Sequence, residues 1–294
     1  IIEVNPRLSR SSALASKATG YPIAWVSAKL AIGYTLDEII NPITGSTSCF
    51  FQPTVDYCVF KIPRFNFEKF PEADTTLTTR MKAVGEAMSI GRNFKEAFQK
   101  GLRSLEMGRG GFGADGKDLD LEKLTEEEIS EKLRVPNQER VFYIRYALQK
   151  GLAIDRIYEI SGIDPWFLDN MREILDIEEN LSLYNSQGDN HGIKELPLEL
   201  LKKAKAAGFA DKQLAHILKI DELELRSLRK ERGLLAAYKE VDTCGGEIYA
   251  QRPYFYSTYT EVDESRGTNK HKVLILGGGP NRIGQGIEFD YCCV

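Results

Sequence analysis

The residues with the clearest chemical potential lie close together near the amino terminus. Glu3 and Asn5 follow two isoleucines, a pattern typical of a β-strand that runs into a loop. Alternate strand residues project from the same side, which places the Glu3 carboxylate beside the Asn5 amide. Such oxygens are ligands that Mg²⁺ prefers, and the guanidinium groups of Arg7 and Arg10 suit phosphate oxygens. The pattern indicates half of a nucleotide–metal site, although a solvated cluster of polar groups at a strand end explains the same spacing equally well.

Composition narrows the class of protein. A length of 294 residues predicts about two domains, and 42% hydrophobic with 28% charged residues is typical of soluble globular proteins. The net charge of -4 gives no general attraction to nucleic acid or anionic membranes. No apolar run approaches the ~20 residues of a membrane span. The five cysteines lack C-x-x-C spacing, which favours reduced thiols and hence a reducing compartment. We expect the cytoplasm, or an organelle if a transit peptide has been removed.

The two ends of the sequence are both abrupt. Residue 1 is not Met and already lies in a strand-like run. Near the other end, the apolar segment 273–276 predicts a short strand, and glycines 277–279 follow it as a turn. We therefore expect the chain to be the middle of a longer protein.

Three segments of the chain differ in predicted secondary structure. Residues 1–106 mix strands with helices, 107–264 are mostly helical, and 265–294 contain a polar linker and the predicted strand and turn. In the first, apolar spacing predicts helices within 11–30 and over 93–105. Residues 57–63 predict a strand that Pro63 closes. The glycines crowded into 108–116 predict a linker.

Helix-terminal signals organise the middle segment. Thr125 and Glu128 have the spacing of a capping box, and their helix should end before Pro136. Asp164 and Pro165 open another helix. Its predicted inner face is Trp166, Phe167, Leu168, Met171, Ile174 and Leu175. Further helices are predicted at 141–150, where Gly151 supplies a left-handed stop, from Pro197 to Gly208, at 211–219 and at 221–232. The aromatic run 254–259 is predicted to be an extended strap to the next domain.

Two motifs suggest other functions. The glycine turn 277–286 resembles a dinucleotide-binding loop, but Arg282 stands where the third glycine is needed for close helix–strand packing. Residues 201–233 suggest a helix-turn-helix. Its basic residues alternate with acidic ones, which favours a solvated face over a DNA-binding one.

Four blocks of sequence resemble the carbamoyl-phosphate synthase large-chain family. They are IEVNPRLSRSSALASKATG at 2–20, KIPRFNFEKF at 61–70, MKAVGE at 81–86 and GGPNRIGQGIEFDY at 278–291. Their order and separation also agree with the family, and the resemblance covers the whole chain, more loosely in the helical middle. Long blocks in the right order make the resemblance specific.

The resemblance implies a multi-domain fold that combines α/β and all-α parts. Residues 1–106 correspond to the C-terminal part of an ATP-grasp α+β domain, the carboxyphosphate domain. Residues 107–264 correspond to a helical oligomerisation domain. Residues 265–294 correspond to the first strand and turn of a Rossmann-like pre-ATP-grasp domain, which opens the carbamoyl-phosphate domain.

The resemblance also implies a function for the parent protein. Such a ligase joins bicarbonate and ammonia with two ATP, through carboxyphosphate and carbamate, and a glutamine amidotransferase subunit usually supplies the ammonia. We expect homo-oligomers through the helical domain and no binding of nucleic acid or membrane. The isolated chain should be inactive, and a pure oligomerisation or scaffold module is the alternative. The sequence leaves open whether the product enters pyrimidine or arginine synthesis.

Residue roles follow from the same resemblance. Glu3 is expected to contact ATP and, with Asn5, to hold Mg²⁺ or Mn²⁺; K⁺ is a further expected ion. Arg7 and Arg10 are expected to bind bicarbonate or carboxyphosphate. A tunnel carries carbamate in this family, and the positions that resemble its lining are Arg10, Met81, Val84, Arg282 and Gly286.

Overall fold

The computed structural model describes residues 8–185, 193–248, 254–276 and 281–282. It divides into two compact units, and each is described by itself. The described residues of the first unit lie within Ile1–Val59, Ile90–Arg92 and Ala236–Ile275, and those of the second lie within Phe60–Ser89, Asn93–Leu235 and Leu276–Val294.

Helices dominate the described residues. In chain order they are α1 (Arg10–Thr19), α2 (Ile23–Ala31), α3 (Phe94–Ser104), α4 (Glu126–Arg134), α5 (Arg140–Gln149), α6 (Ile154–Ser161), α7 (Pro165–Ser182), α8 (Leu198–Ala206), α9 (Asp211–Leu218) and α10 (Glu222–Glu231). The strands are β1 (Cys58–Arg64), β2 (Gly85–Gly91), β3 (Ala237–Glu240), β4 (Phe255–Thr258) and β5 (Asn281–Arg282). None of these helices is long and apolar enough to cross a membrane.

The helix-terminal signals of the sequence are confirmed in the structure. Thr125 and Glu128 form the reciprocal capping box of α4. Asp164 caps α7, whose first residue is Pro165, and the left-handed Gly151 follows α5. Each signal acts within one turn of the helix it ends, because it satisfies backbone groups that the helix itself leaves unpaired. The helix α6 lacks a side-chain cap and was not predicted from the sequence.

The strand β1 continues through Pro63, so the prediction that proline closes it is wrong. The sheet order is β1-β2-β5, which makes β1 an edge strand among the described residues. Pro63 is exposed there. A proline on an edge can direct its missing N–H toward solvent without costing a hydrogen bond to a neighbouring strand.

The aromatic run 254–259 is not a strap. Its central residues form β4, which pairs antiparallel with β3 from Ala237↔Thr258 to Glu240↔Phe255. The partner strand β3 was not predicted from the sequence, so the pairing that makes this segment part of a sheet was not predicted either. Conversely, no strand is assigned at the predicted 273–276, where the four side chains are 61% to 86% exposed. A strand needs a neighbouring strand to hydrogen-bond, and none is described beside this segment.

The second unit is built around packed helices. Phe98 on α3 stacks on Phe94 and meets Phe112 and the β1 residue Phe60 edge to face, with ring centroids 5.1 to 5.4 Å apart. The helix α7 buries Leu168, Met171, Ile174 and Leu175 as predicted, but Trp166 and Phe167 are substantially exposed. These two residues occupy the first turn of α7, where they contact one side of Phe94 rather than the interior.

The glycine-rich segment 108–116 is part of the core rather than a linker. Residues 110–115 are buried, and the Asp115 carboxylate accepts the Gly110 N–H at 2.6 Å. Gly113 has φ 129°, and a Cβ there would lie 2.3 Å from Nε of Arg145. Glycine at position 113 therefore allows the backbone to pack closely against a buried guanidinium.

Candidate functional site

The helix α1 is the described element that contains Arg10, the last residue of the amino-terminal cluster. Glu3, Asn5 and Arg7 lie outside the described residues, and Arg10 is the first residue of α1. Ser9 caps this helix: its hydroxyl accepts the Ser12 N–H at 3.4 Å, while the Ser12 hydroxyl accepts the Ser9 N–H at 3.3 Å. The first turn contains no acidic residue. Within this described first turn, no side-chain carboxylate therefore neutralises the positive end of the helix dipole.

Contacts in the first unit hold the other end of α1. The Ser16 hydroxyl accepts the N–H of Ile23, the first residue of α2, at 3.2 Å. The hydroxyl of Tyr57 donates to the carbonyl oxygen of Ala18 at 2.6 Å. Gly20 ends the helix in a left-handed conformation next to the Thr243 side chain. The sequence analysis gave no role to Tyr57 or Thr243, because nothing in the local pattern connects them to α1.

A cavity of about 690 Å³ lies in the second unit, in the connection between β1 and β2. Val84, one of the expected tunnel residues, lines it, whereas Met81 is 91% exposed. The remaining lining residues combine aromatic, hydroxyl and charged side chains. They are Asn66, Phe67, Phe70, Ala73, Asp74, Thr78, Thr79, Arg80 and Lys82.

Lys82 organises the loop beside this cavity. Its ammonium donates to the Asp74 carboxylate at 2.7 Å and to the carbonyl oxygens of Asp74 and Thr76 at 2.9 and 2.5 Å. The hydrogen bond from Lys82, supported by Thr76, lowers the pKa of Asp74 to about 2. The Leu77 N–H donates to the carbonyl oxygen of Pro136, which links the loop to the connection between α4 and α5. These hydrogen bonds fix the backbone conformation of a loop that contains no helix or strand.

The strand β5 brings Arg282 close to this loop. Gly85 pairs with Arg282 and Glu86 pairs with Asn281 in the antiparallel register. The backbone of Arg282 is thus next to the residue that follows Val84, so the structure brings together these two expected tunnel positions. Gly286, another expected tunnel position, lies outside the described residues.

The described residues provide no alternative metal centre. Among them, no group of three His, Cys, Asp or Glu side chains is arranged to hold a metal ion. The expected metal ligands Glu3 and Asn5 both precede residue 8. Their donor set, a carboxylate and an amide oxygen, suits a hard divalent cation such as Mg²⁺ or Mn²⁺.

The helix-turn-helix pattern corresponds to α9 and α10, which pack against each other. Arg229 on α10 is buried, and its Nε donates to the Asp211 carboxylate at 2.9 Å. Its Nη1 donates to the Leu234 carbonyl oxygen at 3.1 Å. This arginine therefore stabilises the contact between the two helices.

Comparison with known proteins decides the family. The family model described as carbamoyl-phosphate synthetase large chain, oligomerisation domain, matches residues 86–233, half of the chain. The chain belongs to the carbamoyl-phosphate synthetase large-chain family. Two further models of the synthase match its ends: the ATP binding domain of the L chain at residues 1–39 and the preATP-grasp domain at residues 269–294. The mixture of helices and small sheets agrees with these matches.

Curated large chains are similar over the entire sequence. The carbamoyl phosphate synthase large chain of Archaeoglobus fulgidus is 57% identical over 293 residues, and that of a Nostoc species is 55% identical over 294. The arginine-specific, chloroplastic large chain of Arabidopsis thaliana is 53% identical over 294 residues. All of this chain is covered in each comparison, but it spans only 27%, 26% and 24% of those proteins.

Proposed function

We propose that this chain acts within a carbamoyl-phosphate synthase large chain, an ATP-dependent ligase. Residues 1–106 then complete the ATP-grasp domain that phosphorylates bicarbonate, 107–264 form the helical oligomerisation domain, and 265–294 begin the Rossmann-like part of the second synthetase unit. The observation that carries the proposal is identity of 57% to the Archaeoglobus fulgidus large chain across the whole sequence.

The amino-terminal cluster is proposed to bind the reactants of the first phosphorylation. Arg7 and Arg10 hold bicarbonate and then carboxyphosphate, because a planar guanidinium donates two parallel hydrogen bonds to such oxygens. Glu3 contacts ATP and, with Asn5, holds Mg²⁺ or Mn²⁺. The bound cation supplies neutralisation of phosphate charge during phosphoryl transfer. The absence of an acidic residue from the first turn of α1, at the positive end of the helix dipole, supports anion binding at Arg10.

The steps after the first phosphorylation concern carbamate, which is unstable. We propose that carbamate reaches the second synthetase unit through a passage that Arg10, Met81, Val84, Arg282 and Gly286 help to line. Two observations support this: Val84 lines a cavity, and Arg282 pairs with the residue after it.

Partners and location are part of the same proposal. A glutamine amidotransferase subunit supplies ammonia, and K⁺ is a further expected ion. The enzyme works in the cytoplasm or an organelle. One relative is named as arginine-specific and chloroplastic, which makes arginine synthesis a candidate pathway beside pyrimidine synthesis.

Substitution of the arginines in the full-length large chain tests the catalytic proposal. Arg7→Ala and Arg10→Ala should each reduce kcat/KM for bicarbonate by about 100-fold or more, measured as bicarbonate-dependent ATP hydrolysis. Arg156→Ala is the matched control, because Arg156 is an exposed arginine that pairs, among the described residues, with Glu159 on its own helix. Retention of activity within threefold in both site variants would refute the assigned roles.

A scaffold function is the second candidate, favoured by the oligomerisation-domain match to residues 86–233. In this case the isolated chain self-associates without nucleotide and hydrolyses no ATP. Light scattering across a concentration series measures the first property, and an assay at millimolar MgATP measures the second. A monomer at all concentrations contradicts the scaffold function, and turnover that Glu3→Gln abolishes contradicts inactivity of the isolated chain.

A further inference from the structure

The carboxyl end of α1 is anchored by a buried tyrosine. The hydroxyl of Tyr57 donates to the Ala18 carbonyl oxygen at 2.6 Å and lies 3.4 Å from the carbonyl oxygen of Asp242. Tyr57 is 8% exposed and packs with Val241 and Tyr256. Burial raises the pKa of Tyr57, so the phenol stays protonated and remains a donor. One side chain therefore connects the last turn of α1 to a segment far away in sequence.

A second contact involves the residue that ends α1. Gly20 has φ 62°, a left-handed conformation that favours glycine. A Cβ at this position would lie 2.4 Å from Oγ1 of Thr243, well inside the contact distance of the two atoms. Thr243 is itself buried, and its carbonyl oxygen accepts the Thr54 N–H at 2.8 Å. The backbone at Gly20 thus lies directly against Thr243.

The segment that receives both contacts, residues 241–244, is well supported. Val241 belongs to the small core with Tyr57 and Tyr256. The Asp242 carboxylate accepts the N–H groups of Cys244, at 2.8 Å, and Gly246. These bonds fix the local course of 241–244, so the segment can serve as a rigid support for α1.

The length of α1 determines how strongly its support at Ala18 affects the position of Arg10 at the other end. Ala18 is eight residues from Arg10, a separation of about 12 Å along the axis at 1.5 Å per residue. A rigid helix tilted by about 5° at Ala18 would move its Arg10 end by about 1 Å. A displacement of that size can cost ~100-fold in rate when it misplaces a group that binds the reacting molecule.

We propose that Tyr57, Gly20 and Thr243 are positioning residues that set the direction of α1 and hence the placement of Arg10 at the bicarbonate site. The inference rests on the proposed role of Arg10. It assigns a function in the first phosphorylation to residues 241–244, which follow the helices of the second unit in the sequence. None of the three positioning residues needs to contact a substrate.

The first test is Tyr57→Phe in the full-length large chain, which removes the hydroxyl and keeps the ring. Tyr21→Phe is the matched control, because the Tyr21 hydroxyl also donates to a carbonyl oxygen at 2.6 Å, that of Cys49. The KM values for bicarbonate and ATP are measured in bicarbonate-dependent ATP hydrolysis, together with Tm. Tyr57→Phe should raise the bicarbonate KM about fivefold, corresponding to one lost hydrogen bond. The ATP KM, and both KM values of the control, should stay within twofold.

The second test is a compensating pair. Gly20→Ala should raise the bicarbonate KM about tenfold or more, since the new methyl group displaces the helix end or Thr243. Adding Thr243→Ala removes the obstructing oxygen and should return the KM to within about threefold of the original. Rescue of KM separates positioning from a general loss of stability, because the left-handed strain at residue 20 persists in the double variant.

The outcomes distinguish this inference from the function on which it rests. If Arg10→Ala leaves the bicarbonate KM and kcat unchanged, the proposed function of Arg10 fails and the positioning inference fails with it. If Arg10→Ala impairs bicarbonate use while Tyr57→Phe lowers Tm without moving the KM, only the positioning inference is overturned. Absence of rescue in the double variant overturns it as well.

Discussion

Removing the Glu178 carboxylate should strongly destabilise the second unit, because Glu178 neutralises a buried arginine. Arg145 on α5 is 2% exposed, and its two terminal nitrogens donate to the two Glu178 oxygens at 2.7 and 2.6 Å. Asp118 adds a second carboxylate oxygen at 3.3 Å. Burial opposes the charged form, but the hydrogen bonds and charge of Glu178 outweigh it and raise the pKa of Arg145. Without Glu178 the guanidinium still stays charged, because the ordinary pKa of an arginine lies far above neutral pH.

The structure limits the size of the effect. Breaking a buried ion pair by removing one partner typically costs about 3–5 kcal/mol. The Glu178 side chain is 19% exposed and Asp118 remains, so we expect Glu178→Ala to lower the free energy of unfolding by about 2–3 kcal/mol. Glu131→Ala is the matched control on α4. Its pair with Arg134 is 60% and 63% exposed and should contribute about 0.5 kcal/mol or less.

Urea unfolding of the purified chain, followed by circular dichroism, measures both variants. A double variant, Arg145→Met with Glu178→Leu, should recover most of the loss, because apolar side chains of similar size leave no charge uncompensated. The reasoning is refuted if Glu178→Ala and Glu131→Ala lose the same stability. It is also refuted if the double variant is less stable than Glu178→Ala.

Three further predictions concern single positions. In urea unfolding, Gly113→Ala should lower the free energy of unfolding by about 2 kcal/mol more than Gly151→Ala does. Both glycines have positive φ, but only at position 113 does the new methyl group meet Arg145. Equal losses of stability in the two variants would contradict this. Burial lowers the pKa of Lys205 from 10.5 to about 8, so the unfolded chain binds more protons between these values. The free energy of unfolding, compared with that of Lys205→Met at the same pH, should consequently rise from pH 8 to pH 10.5. If this difference between the two proteins does not change across a pH series, the lowered pKa of Lys205 is excluded. Thr125→Ala removes the N-cap of α4 and should cost about 1 kcal/mol, seen as a lower Tm that Thr125→Ser largely avoids.

Local signals in the sequence predicted much of the helical structure. Caps and stops such as Thr125, Asp164 and Gly151 act on the helix to which they belong, so their spacing alone locates helix ends. Periodic apolar residues located the buried face of α7 from Leu168 onward. The family followed from long motifs in the right order and was confirmed by comparison. The roles of Glu3, Asn5, Arg7 and Arg10 stay predictions.

The failures share one cause, which is that the deciding contact lies far away in the sequence. Residues 108–116 have the composition of a linker, but residues 110–115 are buried because side chains distant in sequence contact their backbone. Gln99 accepts the Phe112 N–H, Gln213 donates to the Gly113 carbonyl oxygen, and Arg145 fills the space beside Gly113. Pro63 remains in a strand because that strand lies at an edge of its sheet.

The sequence by itself therefore determined the family, many of the helix boundaries and the residue types available for chemistry. Only the tertiary structure decided which distant segments support α1. The Tyr57 hydroxyl reaches Ala18 across 39 positions and approaches Asp242 across 185. The physical reason is that a capping or periodicity signal acts over one or two turns, whereas burial and strand pairing depend on which surfaces meet after the chain has folded.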